Sequence, residues 1–403
     1  MTTLYLTQNG ITDHIGQSQI APYLLGLSAM GFRIHILSAE KAGREAIEAE
    51  YRATFAAAGI GWTTIRYHNR PPLIGTLWDL VAMWRAAKRI AARESITLVH
   101  CRSHPPMLVA VALKRLTGAR LLFDFRDFWA DGGLAKGRFK PVYRWFKRRE
   151  REFVAKADHI VCLTRRAAEY LAATYPDAER PPETKYRIIP CCADFALFRP
   201  LPERGETRRR ELGIADGATV LLYLGSIGED YLLADMMALF AELRNLRPGA
   251  VFLLVCNNGA EMIVREARKC GLPDESIRIV TSGRHDIPAY ISASDLSVVF
   301  IRADLSKLGC SPTKLAEAFA CNIPVIANAG FGDIDEIADI DRNGSLAIPD
   351  FAPATMRSGL ERILAKKATG TPDIRGQSLE FSLDTGIMRY ATIYGADRKG
   401  IEA

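Results

Sequence analysis

Lys314 and Glu317 lie three residues apart in the run Gly309-Cys310-Ser311-Pro312-Thr313-Lys314-Leu315-Ala316-Glu317-Ala318-Phe319-Ala320-Cys321-Asn322-Ile323-Pro324-Val325-Ile326-Ala327-Asn328. That spacing puts an ammonium and a carboxylate on one face of a helix. The start of such a helix offers unpaired backbone N–H groups and partial positive charge, which attract phosphate oxygens, and Lys314 adds a full charge one turn in. A diphosphate held there leaves Glu317 near a sugar hydroxyl, as an acidic residue grips ribose in dinucleotide sites. The same spacing also suits an ordinary ion pair on a capped surface helix, and spacing alone does not choose. Ser311 is a favourable N-cap and Pro312 suits the first helical position, where its missing N–H is no loss. Asn322 can take the left-handed conformation that ends the helix, and residues 323–327 form a short apolar strand of parallel type.

The elements that must position this run repeat the pattern strand, helix, strand. Residues 4–7 read as a strand, 9–17 as a polar loop, 19–30 as a helix stopped by Gly31, and 32–38 as a second strand. Helices at 42–58, 74–94 and 106–117 alternate with strands at 62–67, 98–102 and 120–125, followed by strands at 157–164 and 186–190. Repeated βα units of this kind give a doubly wound parallel sheet. Ligands bind at the carboxyl ends of such strands, so the stretch Asp13-His14-Ile15-Gly16-Gln17-Ser18-Gln19 faces a cleft. Two further loops reach the same edge. They are Cys101-Arg102-Ser103-His104 and Asp124-Phe125-Arg126-Asp127-Phe128-Trp129-Ala130-Asp131, which carry Arg, Asp, His and aromatic residues, types able to hold hydroxyls and phosphates. Asp124 with Arg126 is equally suited to an ion pair closing the sheet edge.

Residues 195–206, rich in Pro, Glu and Arg, read as a linker, after which a second βα series opens at residues 219–224 with the turn Gly225-Ser226-Ile227-Gly228. At 403 residues the chain exceeds what one hydrophobic core usually supports, and domains at 1–198 and 199–376 are expected, with a terminal helix at 377–395.

The run from Ser311 to Asn328, followed by Gly330-Phe331-Gly332-Asp333, resembles the donor-site signature of group 1 glycosyltransferases, often called family 4. The resemblance is to the subset with Gly-Ser-x-Gly and Ser-Pro-Thr-Lys-Leu-x-Glu motifs. Arg102 and Ser103, with the stretch containing Asp124, Arg126, Trp129 and Asp131, resemble the loops of a subset of the same family. The resemblance implies GT-B architecture: two Rossmann-like doubly wound domains facing a central cleft, with the terminal helix crossing back onto the first. It implies a retaining transfer from a nucleotide-sugar donor to a glycan or lipid-linked acceptor, without metal or other cofactor, in bacterial surface polysaccharide assembly. Glu317 would bind the donor ribose, and the segment Ser311, Pro312 and Thr313, with Lys314, the diphosphate. Gly225 and Ser226 would approach the phosphates, and the base would stack near Gly283 and Arg284. The acceptor would meet Gly16, Gln17, Ser18, Arg102, Ser103, Asp124 and Arg126. Catalysis would rest on Asp124, Arg126, Lys314 and Glu317. The chain departs from the family where Gly309 replaces the first glutamate of its usual Glu-x7-Glu pair, and where Ser226 stands in place of an Arg-Lys pair.

Charge and composition bound the remaining readings. Net charge is +7, which suggests an anionic partner. From Lys136 to Lys156 the chain carries Lys136, Arg138, Lys140, Arg144, Lys147, Arg148, Arg149, Arg151 and Lys156, interleaved with Phe139, Tyr143, Trp145, Phe146 and Phe153. A basic amphipathic helix with aromatics can lie on anionic headgroups, and can equally dock its aromatics on the sheet while its charges stay solvated. No nucleic-acid-binding motif accompanies the charge. The N-terminus is too short and polar for a signal peptide, no apolar run is long enough to span a membrane, and eight scattered cysteines lack Cys-x-x-Cys spacing. These features point to the cytoplasm, with peripheral contact at the inner face of the plasma membrane. Asp333-Ile334-Asp335 has the spacing of a metal-binding motif but is placed to cap the next helix. An inactive scaffold of the same fold and a nucleotide-sugar epimerase are the competing functional classes.

Overall fold

The computed structural model describes residues 2–68, 70–71, 73–137, 139–370 and 372–395, so Arg138 of the basic run lies outside the described residues. The chain forms two compact units, one running to Pro190 and joined by the segment from Leu383, the other spanning Cys191–Ser382.

The first unit is built on seven parallel strands: β1 (Thr2–Thr7), β2 (Ile34–Glu40), β3 (Gly61–Arg66), β4 (Ile96–Arg102), β5 (Arg120–Asp124), β6 (His159–Cys162) and β7 (Tyr186–Ile188). Their order is β3-β2-β1-β4-β5-β6-β7. The order reverses at β1, the topological switch point at which such sheets take their ligands. Register sets Thr7 beside Arg102 and Arg102 beside Asp124, so the chemistry-bearing ends of β1, β4 and β5 are neighbours. The second unit has six parallel strands: β8 (Val220–Leu224), β9 (Val251–Val255), β10 (Ile277–Val280), β11 (Leu296–Val299), β12 (Val325–Asn328) and β13 (Leu346–Ile348), ordered β10-β9-β8-β11-β12-β13. Successive side chains of β8 enter opposite cores: Val220, Leu222 and Leu224 one, Leu221 and Tyr223 the other. Helices cover both faces, which is why these strands are apolar throughout rather than alternating.

Three boundaries differ from the sequence expectation. Residues 14–19 are not a loop but a short helix, His14–Gln19, and a break at Ile20 separates it from Ala21–Ala29. A Cβ at Gly16 would sit 2.2 Å from the Gly10 carbonyl oxygen and 2.4 Å from that of Ile11, so only glycine lets this helix rest on the preceding loop. The division between units falls at 190/191 and 382/383 rather than at 198/199 and 376/377. The reason is packing: Phe195 and Phe198 enter the second core, and Arg375 donates to the carbonyls of Phe195, Phe198 and Ala320. The terminal helix is Leu383–Gly395, preceded by a short 3-10 turn, Gly376–Phe381. It packs on the Ala21–Ala29 helix, where a Cβ at Gly26 would lie 2.2 Å from Ile387, and Tyr23 meets Tyr390 edge to face at 5.6 Å.

Candidate functional site

In the second unit the site is assembled around a turn and a buried helix. After β8 the chain turns at Gly225 with φ +124°, a conformation that side chains rarely adopt. Asn258 clamps the turn, accepting from the Ile227 N–H at 2.9 Å and donating to the Ile227 carbonyl at 2.8 Å. The Tyr223 hydroxyl donates to the Ser226 carbonyl. Opposite lies the helix Thr313–Ala320, buried from Lys314 to Ala320. It starts one residue later than the sequence suggests. Pro312 is the N-cap with extended ψ of 126°, and the Ser311 hydroxyl accepts from the Cys191 N–H instead of capping.

Lys314 is therefore not a surface lysine. It is 8% exposed, and its Nζ sits 4.3 Å from the Tyr223 ring centroid and 4.0 Å from that of Tyr231. Nζ has no hydrogen-bond partner among the described residues, and burial pushes its pKa down to about 7. The i,i+3 ion pair with Glu317 does not form. Glu317 accepts from Arg284 Nη1 at 3.1 Å, and its pKa is raised by burial, which outweighs the arginine. Arg284 in turn lies over the Phe198 ring at 4.9 Å. The space a Cβ would take at Gly283 is open. The structure thus brings together Gly225 with Lys314 and, one helical turn on, Glu317 with Arg284. Sequence reasoning missed Tyr223, Tyr231 and Asn258, because a strand tyrosine reads as core and a lone asparagine as loop.

A Cβ at Gly225 would meet Lys314 Nζ at 2.9 Å. Gly225→Ala is expected to lower stability by about 1–3 kcal/mol through backbone strain alone, read by urea denaturation; a variant as stable as wild type would show that the turn relaxes freely.

In the first unit Asp124 is buried at the end of β5. Arg102 Nη1 donates to Oδ2 at 3.3 Å, Arg126 Nη1 stands 3.5 Å from Oδ1, and His100 Nε2 stands 3.7 Å from Oδ2. Burial alone would raise the Asp124 pKa, but Arg126, His100 and Arg102 together hold it well below the usual carboxylate range. The sheet-edge ion pair is thus formed, and it is a cluster. His100, which sequence reasoning passed over, also shares a 2.8 Å hydrogen bond through Nδ1 with the Tyr394 hydroxyl. His104 is buried against Glu150 at 2.9 Å. Ser103 takes φ +67° and its N–H donates to the Asp124 carbonyl at 3.0 Å.

A cavity of about 700 Å³ opens over this cluster, lined by Arg102, Ser103 and Arg126 together with Asn9, Asp13 and Lys41. Asp124 lies beneath the lining. Gly16, Gln17 and Ser18 do not reach it: Gln17 Nε2 donates to the Thr12 carbonyl at 2.8 Å and Ser18 Oγ to the His14 carbonyl at 2.6 Å. From that stretch Asp13 and Ile15 line the cavity instead.

From Lys140 on, the basic run is one helix, Lys140–Lys156, preceded by the short helix Trp129–Ala135. Phe146 and Phe153 are buried while Trp145 is 45% exposed. No helix among the described residues is long and apolar enough to cross a membrane. Among the described residues no group of His, Cys, Asp and Glu is placed to hold a metal ion. Asp333 stands at the N-cap of Ile334–Ile337 without a side-chain cap bond, and Asp335 accepts from the Gly330 N–H at 3.2 Å.

The model of Glycosyltransferase Family 4 matches residues 23–197, and that of Glycosyl transferases group 1 matches residues 205–372. No curated protein matches the sequence. Sucrose-phosphate synthase from Thermosynechococcus elongatus aligns with a TM-score of 0.71 at 16% identity, covering 98% of each chain. Anabaena HepE, solved in complex with UDP and glucose, aligns with a TM-score of 0.68 at 16% identity, covering 98% of this chain and 99% of that one. The lipopolysaccharide outer core galactosyltransferase WaaB aligns with a TM-score of 0.66 at 13% identity, covering 98% and 99%. Identities this low carry the fold alone, and the two parallel-sheet domains are those of the GT-B architecture. With one of the paired domain models on each side of residue 200, the chain belongs to the group 1 glycosyltransferases of GT-B fold.

Proposed function

We propose that the second unit binds a nucleotide-sugar and the first an acceptor, a glycan or a lipid-linked glycan, and that the sugar is transferred with retention of configuration, without a metal. The observation that carries this reading is the buried amine of Lys314, which lies beside Gly225 and has no hydrogen-bond partner among the described residues. An amine desolvated without a counter-charge is poised to take one, and a glycine at that point leaves room for phosphate oxygens to approach the backbone. Negative charge grows on the departing diphosphate during transfer. Lys314 and the amides at the start of its helix stabilise that charge, in place of the absent Arg-Lys pair. Glu317, oriented by Arg284, takes a ribose hydroxyl. Arg102, Ser103 and Arg126 present donors to the acceptor, while Asp124 holds the two arginines in place and sets the potential of the cavity. A nucleotide-diphosphate sugar donor is supported by the UDP held in the HepE structure. Assembly of a bacterial surface polysaccharide is supported by the lipopolysaccharide role in the WaaB description. The basic helix Lys140–Lys156 supplies peripheral contact with an anionic membrane at the cytoplasmic face.

Calorimetric titration with UDP, GDP and ADP tests the donor half. One nucleotide is expected to bind, and Glu317→Ala to weaken it by about 1–3 kcal/mol, the worth of a hydrogen bond to a charged group. No binding of any nucleotide at millimolar concentration overturns the reading in favour of a scaffold.

A further inference from the structure

The turn Gly225-Ser226-Ile227-Gly228 carries no cation, and the helix start Ser311-Pro312-Thr313-Lys314 carries one. A diphosphate brings more negative charge than a single ammonium balances. A second ammonium stands in the same neighbourhood. Lys307 belongs to the 3-10 turn Leu305–Gly309, which Asp304 opens by accepting from the Ser306 N–H at 2.8 Å. The Lys307 carbonyl accepts from the Gly332 N–H at 2.8 Å and from the Cys310 N–H at 3.0 Å, so its backbone is pinned. Its side chain crosses to the loop that follows Gly225, where Nζ lies 3.1 Å from Asp230 Oδ2.

That loop and the segment leaving β11 are stapled by backbone groups. The Arg302 N–H donates to the Asp230 carbonyl at 3.0 Å, Arg302 Nη2 to the Glu229 carbonyl at 3.2 Å, and the Leu232 N–H to the Phe300 carbonyl at 3.2 Å. Tyr231 bridges to Ile301 and sets its ring 4.0 Å from Lys314 Nζ, so Asp230 adjoins the residue that covers the first amine. Lys307, Lys314 and Asp230 are all among the charges acting on the Cys310 thiol, just ahead of Ser311. Glu317 lies one turn further into the helix than Lys314, whereas Lys307 precedes the helix start. A donor with its ribose at Glu317 therefore runs back along the helix and presents its distal phosphate toward Lys307.

We propose that Lys307 is a second cation of the donor site, held in reserve by Asp230 in the free protein and released to the distal phosphate when a nucleoside diphosphate or its sugar ester binds. This inference rests on the donor placement proposed above. The exchange is favourable because side chains 18% and 42% exposed gain little by pairing in water, whereas an ammonium against a phosphate makes a charge-assisted bond. The backbone staples keep the two loops together without the Asp230 carboxylate. That carboxylate is then a competitor of the ligand and not a support for it. Negative charge grows on the distal phosphate as the sugar departs, so Lys307 stabilises the leaving group where Lys314 alone falls short.

Calorimetric titration of the full chain with UDP, GDP and ADP, and with the monophosphate matching whichever binds, is the test. Lys307→Met is expected to weaken the diphosphate about tenfold or more and to leave the monophosphate unchanged, while Lys307→Arg keeps most of the wild-type affinity. Asp230→Asn is expected to act in the opposite sense, tightening the diphosphate about two- to fivefold. A pair that merely braces the two loops would weaken binding from either side. Urea midpoints close to that of wild type show that the variants are folded. Three results overturn the proposal: a Lys307→Met protein that binds the diphosphate as wild type does, one that loses monophosphate and diphosphate alike, or an Asp230→Asn protein that binds the diphosphate no better than wild type. Failure of the wild type to bind any nucleotide strikes the donor reading and Lys307 with it, whereas wild-type binding untouched by either substitution strikes Lys307 alone.

Discussion

Lys314→Met is expected to abolish nucleotide binding and at the same time to make the free protein more stable. Both effects follow from the amine lying against Tyr223 and Tyr231 with no hydrogen-bond partner among the described residues. Its pKa falls from 10.5 to about 7 on folding. Between those values the unfolded chain holds a proton that the folded chain lacks, so stability rises with pH through this window and the full penalty applies below it. Each tenfold change in proton affinity is worth about 1.4 kcal/mol, which sets a ceiling of about 5 kcal/mol. Methionine, of similar shape and comfortable against aromatic rings, should recover about 1–3 kcal/mol of that ceiling. The gain, read as a denaturant midpoint at neutral pH, should shrink toward pH 10. A diphosphate would restore the ammonium form, so binding by the wild type should take up a proton and weaken about tenfold for each pH step above the free amine's pKa. Calorimetry in buffers of different ionisation enthalpy reads that proton directly. A Lys314→Met protein that binds nucleotide as well as wild type would remove Lys314 from the site.

Asp124→Asn should be the most destabilising single change in the first unit. The carboxylate compensates Arg102 and Arg126 in a buried setting, and the amide would leave both guanidinium groups without their counter-charge. Breaking a buried pair in this way costs about 3–5 kcal/mol. The pH dependence has the opposite sense to that of Lys314. Because the folded pKa of Asp124 is depressed, its contribution is complete above the ordinary carboxylate pKa and is lost as pH falls toward the folded value. Urea unfolding of wild type and variant across the acid range should therefore converge at low pH. A loss below about 1 kcal/mol at neutral pH would mean that water reaches the cluster and screens it.

The alternation of apolar strands with amphipathic helices was legible because both sheets are parallel and buried on both faces. The helix His14–Gln19 was not, because its six residues carry no apolar periodicity and it is held by a close approach of Gly16 to the Gly10 and Ile11 carbonyls. The pairing of Lys314 with Glu317 was the natural reading of their spacing. It failed because Tyr223 and Tyr231, some eighty to ninety residues upstream, take the lysine, and Arg284 takes the glutamate. Local spacing says which groups share a helix face, and tertiary packing decides which of them are desolvated and by what. In the same way Asp124 and Arg126 were visible as neighbours, whereas Arg102 and His100 join them only through the register of β4 with β5.

The first unit is finished by residues that follow the second unit in the chain, for the helix Leu383–Gly395 fills the groove beside Tyr23 and sets Tyr394 against His100. A ribosome making this protein therefore delivers the seven-stranded sheet long before the helix that closes its core. Until residue 395 has emerged, Tyr23, Gly26, Phe32 and His100 have no lid, and the nascent chain must carry that open flank through the synthesis of about two hundred further residues. A fragment cut at Pro190 would inherit the same defect permanently. Joining residues 383–395 to it by a short tether should restore a foldable unit on which acceptor and vesicle binding can be studied apart from the donor half.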